Sequence, residues 1–152
     1  MKAFLPFFLL ILSAHAHWNS GHATSVCSGG SQVLRFQHDL NGSEIQRIND
    51  VIYNTQQDLT ILLFADVQLH LQMPRYPRLG QKVLFVCDSS IWHLVSDNKG
   101  FQGAARYVSD QGQVVEVRDS LGLQLLQRTT VELIYNSQQW IIINQPVIGE
   151  TF

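Results

Sequence analysis

Histidines near the start of the chain are the residues whose positions best suit metal chemistry. Signal cleavage after Ala16 would make His17 the first mature residue, and its α-amino nitrogen and imidazole could then chelate one Cu(II). His22 is a candidate third ligand, and Cu(II) favours such nitrogen-rich, tetragonal coordination. Copper binding is therefore an alternative function, and the competing interpretation is a solvated arm with incidental histidines. The candidates for a further ligand held by the fold are His38, His70 and His93.

One tetrapeptide matches motifs of the penicillin-recognising serine enzymes. Residues 96–99 read Ser-Asp-Asn-Lys, which satisfies both Ser-x-x-Lys and Ser-Asp-Asn. In those enzymes the two motifs lie on different elements, and a Lys-Thr-Gly strand, absent from this sequence, completes the site. We therefore interpret the tetrapeptide as a turn. The sequence also lacks Gly-x-Ser-x-Gly, phosphate-loop and His-Glu-x-x-His motifs, which favours a non-enzymatic protein with no catalytic residues and no cofactor.

The two cysteines, Cys27 and Cys87, predict a disulfide if the protein is exported. Closing a loop of about 60 residues would contribute on the order of 4 kcal/mol to stability in the chain-entropy model. The alternative is that Cys87 is a small buried hydrophobe and that Cys27 is a free thiol. A metal site on two cysteines so far apart in the sequence has no spacing signal in its favour.

The first residues have the three parts of a secretory signal peptide. Lys2 supplies a positive charge, residues 3–12 form an apolar core, and Ala14-His15-Ala16 is a cleavage site, with Ala23 as an alternative end. About ten apolar residues are too few to span a bilayer, which needs about 20. We therefore expect a secreted or periplasmic protein without a transmembrane span. Its parts would be a signal peptide (1–16), a flexible arm (17–31) and one β-rich domain (32–152).

Charge and composition limit the partners of this protein. The formal net charge is -2, and Lys and Arg are scattered singly, unlike the clustered basic face that nucleic-acid binding needs. Only 14% of the residues are charged while Gln is frequent, so the polar surface is largely uncharged amide. Such a surface suits ligands bound through hydrogen bonds, carbohydrates among them, and equally suits a soluble β-protein without such a ligand.

Periodicity predicts one helix followed by many short strands. Ser43 and Gln46 have the spacing of a capping box, and Ile45, Ile48 and Ile52 follow at helical spacing, so we predict a helix that ends near residue 54. The predicted strands are 33–37, 59–64, 67–72, 82–87, 92–95, 104–108, 113–118, 123–126, 130–135 and 140–144. This pattern favours a mainly β fold, an antiparallel sandwich or small barrel with one short N-terminal helix.

Two segments of the chain are similar to each other. Residues 83–95 align without gaps on residues 131–143, and in each an apolar strand and a polar turn precede a Trp, Trp92 or Trp140. Duplication and convergence of unrelated hairpins both explain this match. We predict that the two Trp side chains cover the core. Because loops on a rigid scaffold usually carry recognition, the predicted contact residues lie in the two turns: Asp88, Ser89, Asn136, Ser137 and Gln138.

Residues 66–143 combine a strand Val67-Gln68-Leu69-His70-Leu71, a Pro-containing loop, Gly80 before strand 82–87, and a closing strand 131–135 with Trp140 after a polar turn. This arrangement resembles the small β-rich modules that end many phage tail fibres and tail spikes and recur in bacterial surface proteins. The resemblance implies an adhesive or trimerising module without chemistry of its own. At its N-terminus alone, the chain resembles secreted copper β-sandwich proteins that begin with His.

We therefore predict an exported, non-enzymatic binding or surface-assembly module. Its partner would be an extracellular or cell-surface ligand, for which carbohydrate is one candidate class, and its oligomeric state is left open. The alternative is a copper-binding secreted β-sandwich that uses His17 and His22.

Overall fold

The computed structural model describes residues 23–28, 31–36, 41–65, 69–89, 91–97 and 99–152, with the backbone alone for 23–28 and for residue 69. One helix, α1 (Gly42–Asn54), interrupts a series of strands. The strands are β1 (Ala23–Ser28), β2 (Ser31–Phe36), β3 (Asp58–Leu63), β4 (Leu69–Gln72), β5 (Lys82–Cys87), β6 (Trp92–Val95), β7 (Phe101–Tyr107), β8 (Val114–Ser120), β9 (Gly122–Leu125), β10 (Thr129–Tyr135), β11 (Trp140–Ile142) and β12 (Val147–Thr151).

All the described strands belong to one sheet, in the order β1-β2-β3-β5-β10-β11-β7-β12-β9-β6-β4, with β8 paired to β7. The prediction of a mainly β fold with one short helix is confirmed. The pairing, however, is mixed. Parallel ladders join β2 to β3, β3 to β5, β4 to β6, and β7 to both β11 and β12. The other pairs are antiparallel.

The sheet curls so that strands near its two ends face each other across the core. β2 is second from one end of the strand order and β6 is second from the other, yet the rings of Phe36 and Trp92 have centroids 6.3 Å apart. Alternate residues of most strands point inward, which is the period-2 pattern of a sheet with one buried face. The largest fully buried side chains include Trp92, Trp140, Phe36, Phe85 and Phe101.

Helix α1 begins with a capping box that differs from the predicted one. Asn41 accepts hydrogen bonds from the backbone amides of Ser43 and Glu44, and the Glu44 carboxylate accepts from the Asn41 amide at 2.9 Å. The predicted pair, Ser43 and Gln46, was two residues too late, because Asn is an equally good cap and Asn41 comes first. Ile48 and Ile52 are buried, as the predicted apolar stripe requires.

The side chain of Asn49 ties α1 to β4, an edge strand of the sheet. Its Nδ2 donates to the His70 carbonyl at 3.2 Å, and its Oδ1 accepts from the Gln72 amide at 3.0 Å. The amide group thereby makes the two bonds that a neighbouring strand would make. This contact holds the outward face of α1 beside the outward face of β4.

The predicted strands 82–87 and 92–95 coincide with β5 and β6. Two strands were not predicted. β1 lies where the sequence indicated a flexible arm, and it forms six antiparallel pairs with β2, from Ala23 opposite Phe36 to Ser28 opposite Ser31. β12 contains Gly149, which weakens the strand signal. The predicted signal peptide, 1–16, lies outside the described residues, and no helix within them is long and apolar enough to cross a membrane.

Only one of the two similar segments is a hairpin. β10 pairs with β11, with Tyr135 opposite Trp140. β5 instead pairs with β3 and β10, whereas β6 pairs with β4 and β9, so the chain leaves one part of the sheet after Cys87 and joins another at Trp92. Convergence is therefore the better explanation of the sequence match. Both Trp side chains are fully buried, as predicted.

The register does not bring the two cysteines together. Cys27 of β1 lies opposite Gln32 of β2, and the register continues this line of paired residues through β3 to Val83 of β5. Cys87 lies four residues further along β5, where it pairs with Leu63 of β3. Three strand spacings and four residues along the strand separate them, and a disulfide needs Cα atoms within about 7 Å. This backbone separation argues against the predicted disulfide. The Cys27 side chain lies outside the described residues, and mass analysis without reductant tests the pairing directly.

Candidate functional site

One face of α1 and the end of β4 enclose a polar cleft of about 220 Å³, which we call the α1 cleft. The helix contributes residues at i, i+3, i+4 and i+7, the spacing that places side chains on one face. Gln72 of β4 and Asp97, after β6, form the opposite wall. The helix residues in the cleft are Gln46, Asn49, Asp50 and Tyr53.

Hydrogen bonds fix most side chains of the α1 cleft. The Tyr53 hydroxyl donates to Asp97 Oδ2 at 2.7 Å, and this bond raises the pKa of the phenol above its ordinary value. Gln46 Nε2 donates to Asp50 Oδ1 at 3.0 Å. In contrast, Gln72 Oε1 is buried and has no hydrogen-bond partner among the described residues. A buried carbonyl oxygen without a donor costs free energy, so a hydrogen bond to this atom would be favourable.

A second depression, the Ser96 cleft, adjoins the first and has a volume of about 100 Å³. Ser96 is 2% exposed, and its Oγ also has no hydrogen-bond partner within the described part of the chain. Arg75 lies between two aromatic rings, with its guanidinium carbon 5.7 Å from the Tyr53 centroid and 5.1 Å from that of Tyr76. The complete lining is Pro74, Arg75, Tyr76, Ser96, Asp97 and Lys99.

Shared residues connect these clefts to two more among the described residues. Asp97 lines both the α1 cleft and the Ser96 cleft, and Lys99 lines both the Ser96 cleft and a third of about 450 Å³, the Gln138 cleft. Asp119 joins the Gln138 cleft to a fourth of about 230 Å³, beside β7 and β8. The four depressions, called here the cleft series, therefore follow one another through shared lining residues. Such an arrangement suits an extended ligand.

Side-chain hydrogen bonds hold the turn between β10 and β11, which lies at the middle of the cleft series. Asn136 Oδ1 accepts from the backbone amides of Gln138 and Gln139 at 3.0 and 2.8 Å, which closes the turn between β10 and β11. Ser137 has φ of 83°, an uncommon conformation that this Asn-headed turn supports. The Gln139 side chain donates to Asp119. Gln138 is left exposed on the surface of the cleft named after it.

The two predicted contact turns do not converge. Asp88 and Ser89 follow the end of β5 that pairs with Thr129, whereas Asn136 follows the opposite end of β10. Six residues of strand, about 20 Å, lie between these ends. Ser89 also has structural contacts: its hydroxyl donates to the Ala65 carbonyl, and its own carbonyl accepts from the Trp92 indole.

Of the five predicted contact residues, Gln138 therefore lines the cleft series and Asn136 and Ser137 shape its turn. Asp88 and Ser89 lie elsewhere. The α1 cleft was not predicted at all. The spacing of Gln46, Asn49, Asp50 and Tyr53 in the sequence was a usable signal for a polar helix face.

Cys87 is unsuited to nucleophilic chemistry as a thiol. Burial, followed by the nearby negative charge of Asp88, raises the pKa of its Sγ–H to about 12. The thiol would stay protonated at neutral pH, and the thiolate is the nucleophilic form.

Three rings stack on the outward face of the sheet. His70 of β4 and His93 of β6 have centroids 4.7 Å apart, and Phe152 follows at 5.6 Å from His93. The Nδ1 of His93 is buried without a partner among the described residues. Burial, and then the neighbouring His70, lower the pKa of His93, while Glu150 opposes them.

The stack should make the protein less stable in mild acid. Because the pKa of His93 is lower in the folded than in the unfolded state, the unfolded state takes up a proton first as pH falls through about 6.5. The free energy of unfolding should fall in that range and level off below the folded pKa. Urea denaturation of wild type and His93→Gln across pH 8 to 5 tests this, because the variant should lose part of the slope. Equal slopes in both proteins would contradict it.

Metal chemistry finds no support in the described residues, where no three His, Cys, Asp or Glu side chains group closely enough to hold an ion. His70 and His93 stack on each other, and His17, His22 and His38 lie outside the described residues. The copper site therefore stays a prediction. Its test is intact-mass analysis of the mature terminus, followed by Cu(II) titration of wild type and His17→Ala.

Comparisons with known proteins found no match. No protein-family model, no curated protein and no solved structure matches the chain.

Proposed function

We propose that this protein is an exported, non-enzymatic binding module whose cleft series takes an extended carbohydrate. The observation that carries the proposal is a pair of buried polar atoms, Gln72 Oε1 and Ser96 Oγ, which lack hydrogen-bond partners in the described chain and belong to residues that line adjoining clefts. Native proteins leave few such atoms unsatisfied, and functional sites are one reason for them. Sugar hydroxyls both donate and accept, so they can satisfy both atoms.

The rest of the lining supports the same class of ligand. Amide, carboxylate and phenol groups dominate the α1 cleft, which gives a hydroxyl-rich ligand many directed hydrogen bonds. Tyr76 is 67% exposed at the edge of the Ser96 cleft and offers an aromatic surface of the kind that binding sites use. The row of clefts that share Asp97, Lys99 and Asp119 favours a chain of sugars over a single one.

The substitution Gln72→Met separates binding from folding. It removes the unsatisfied oxygen at nearly constant volume, so the free energy of unfolding should be unchanged or higher. Binding should weaken by about ten-fold or more, since one hydrogen bond in the site is lost. The wild-type protein is first screened on a glycan array, and calorimetry with the best oligosaccharide then compares the variant with wild type.

A matched control is Gln111→Met, which makes the same chemical change at an exposed residue outside the cleft series. It should bind as wild type does. The proposal fails if the wild-type protein binds no glycan, and the site is wrong if a glycan binds wild type and Gln72→Met equally well.

A further inference from the structure

Charge is distributed unevenly along the cleft series. The α1 cleft contains two carboxylates, Asp50 and Asp97, and no Lys or Arg among its described lining residues. The Ser96 cleft contains two cations, Arg75 and Lys99, against the single carboxylate of Asp97. A ligand that lies across both clefts therefore meets hydrogen-bond acceptors in one and positive charge in the other.

The cations of the Ser96 cleft are not held by ion pairs in the described structure. Among the described residues, the ion pairs join Arg78 to Asp58 and Arg118 to Glu116. Neither Arg75 nor Lys99 is part of an ion pair with a described carboxylate. Two Tyr rings position the Arg75 guanidinium through its faces, so its N–H groups stay available. Asp97 is in turn occupied on its other side by the Tyr53 hydroxyl.

Ser96 is a second, independent indication that the Ser96 cleft binds a ligand. Ser96 lines the same cleft, and its buried Oγ has no hydrogen-bond partner within the residues described. A hydroxyl donor beside a guanidinium and an ammonium is the set of groups that a carboxylate accepts from, and charge-assisted hydrogen bonds of this kind are the strong ones.

We infer that the preferred ligand is an acidic saccharide, bound with a sugar carboxylate in the Ser96 cleft and neighbouring sugar hydroxyls in the α1 cleft. This inference rests on the proposed function and makes it more specific. The carboxylate accepts from Ser96 Oγ, Arg75 and Lys99, while the hydroxyls donate to Gln72 Oε1 and Asp50. The opposite charges of the two clefts give the bound chain one direction.

The probe is a pair of oligosaccharides that differ only in charge: an oligogalacturonate and its fully methyl-esterified form. Calorimetry with the full-length mature protein should show the acid binding about ten-fold or more tightly than the ester. Binding of the acid should weaken as salt is raised, because the cleft is open to solvent. Ester binding should change little with salt.

Two variants test the assigned groups. Lys99→Gln and Ser96→Ala should each reduce the preference for the acid over the ester while leaving thermal unfolding near that of wild type. Lys82→Gln, which removes the same charge on β5 outside the cleft series, is the matched control and should keep the preference.

The outcomes separate this inference from the proposed function. Equal binding of acid and ester, or tighter binding of the ester, overturns the acidic-ligand inference and leaves the carbohydrate module standing. Binding of the acid that is unchanged in both Lys99→Gln and Ser96→Ala also overturns the assignment. A protein that binds neither probe, and no glycan on the array, overturns both.

Discussion

Replacing Trp140 by alanine is expected to lower the free energy of unfolding by about 3–5 kcal/mol. The side chain is fully buried, and its ring lies 5.3 Å from that of Tyr135, centroid to centroid. Trp140 also begins β11, where its amide donates to the Gly100 carbonyl and its register joins β10 to β7. The cavity left by the ring therefore opens at the junction of three strands. Urea denaturation monitored by circular dichroism measures the loss.

Tyr76→Ala is the matched control, since it removes a large aromatic side chain that is 67% exposed. Its unfolding should stay close to that of wild type, while sugar binding weakens because Tyr76 lines the Ser96 cleft. A Trp140→Ala protein that melts like wild type but no longer binds glycans would show that Trp140 is a ligand platform and not a core residue.

Gly103→Ala is expected to cost at least about 2 kcal/mol, because overpacking and backbone strain each cost about 1–3 kcal/mol. Gly103 has φ of 139°, and a Cβ atom there would lie 2.8 Å from the Ile142 carbonyl oxygen. The β7–β8 register shifts between Phe101 and Gly103, so this glycine lies next to a bulge, and β11 pairs with the other side of β7. Thermal and urea denaturation both report the change.

Gly42→Ala makes the same substitution where space is open. No atom lies within 4 Å of a Cβ built on Gly42, which begins α1. Alanine there should stabilise the protein by up to about 1 kcal/mol, since it restricts the unfolded chain and favours the helix. If the two glycine variants had equal stability, close packing at the bulge would not be what constrains Gly103.

The fold class was predictable because most local signals agreed with the final structure. Alternating apolar residues gave β5 and β6 with their exact ends, and the isoleucines at helical spacing gave α1. Strand partners were not predictable in this way. Periodicity indicates which face of a strand is buried, but β5 pairs with β10 rather than with β6, the strand that follows it, and that choice depends on contacts distant in sequence.

The candidate site was predicted only in part, for a related reason. Gln138 lies in a turn whose sequence signal is local, and it does line a cleft. The α1 cleft combines residues 46–53 with Gln72 and Asp97, and the curl of the sheet and the Asn49 bridge to β4 bring them together. A polar helix face predicts only that these residues are exposed to solvent. The opposite wall of the cleft comes from residues distant in sequence, and their position depends on the tertiary structure.

The position of β12 has a consequence for the order in which the protein assembles. β12 comes after every strand that it joins, yet it lies inside the sheet, between β7 and β9. The group β9-β6-β4 reaches the rest of the strand order only through it. A growing chain can therefore form local pairs early, but it cannot unite the two halves until residues 147–151 are available. Folding should be completed late and as one cooperative step, as long-range pairings generally require.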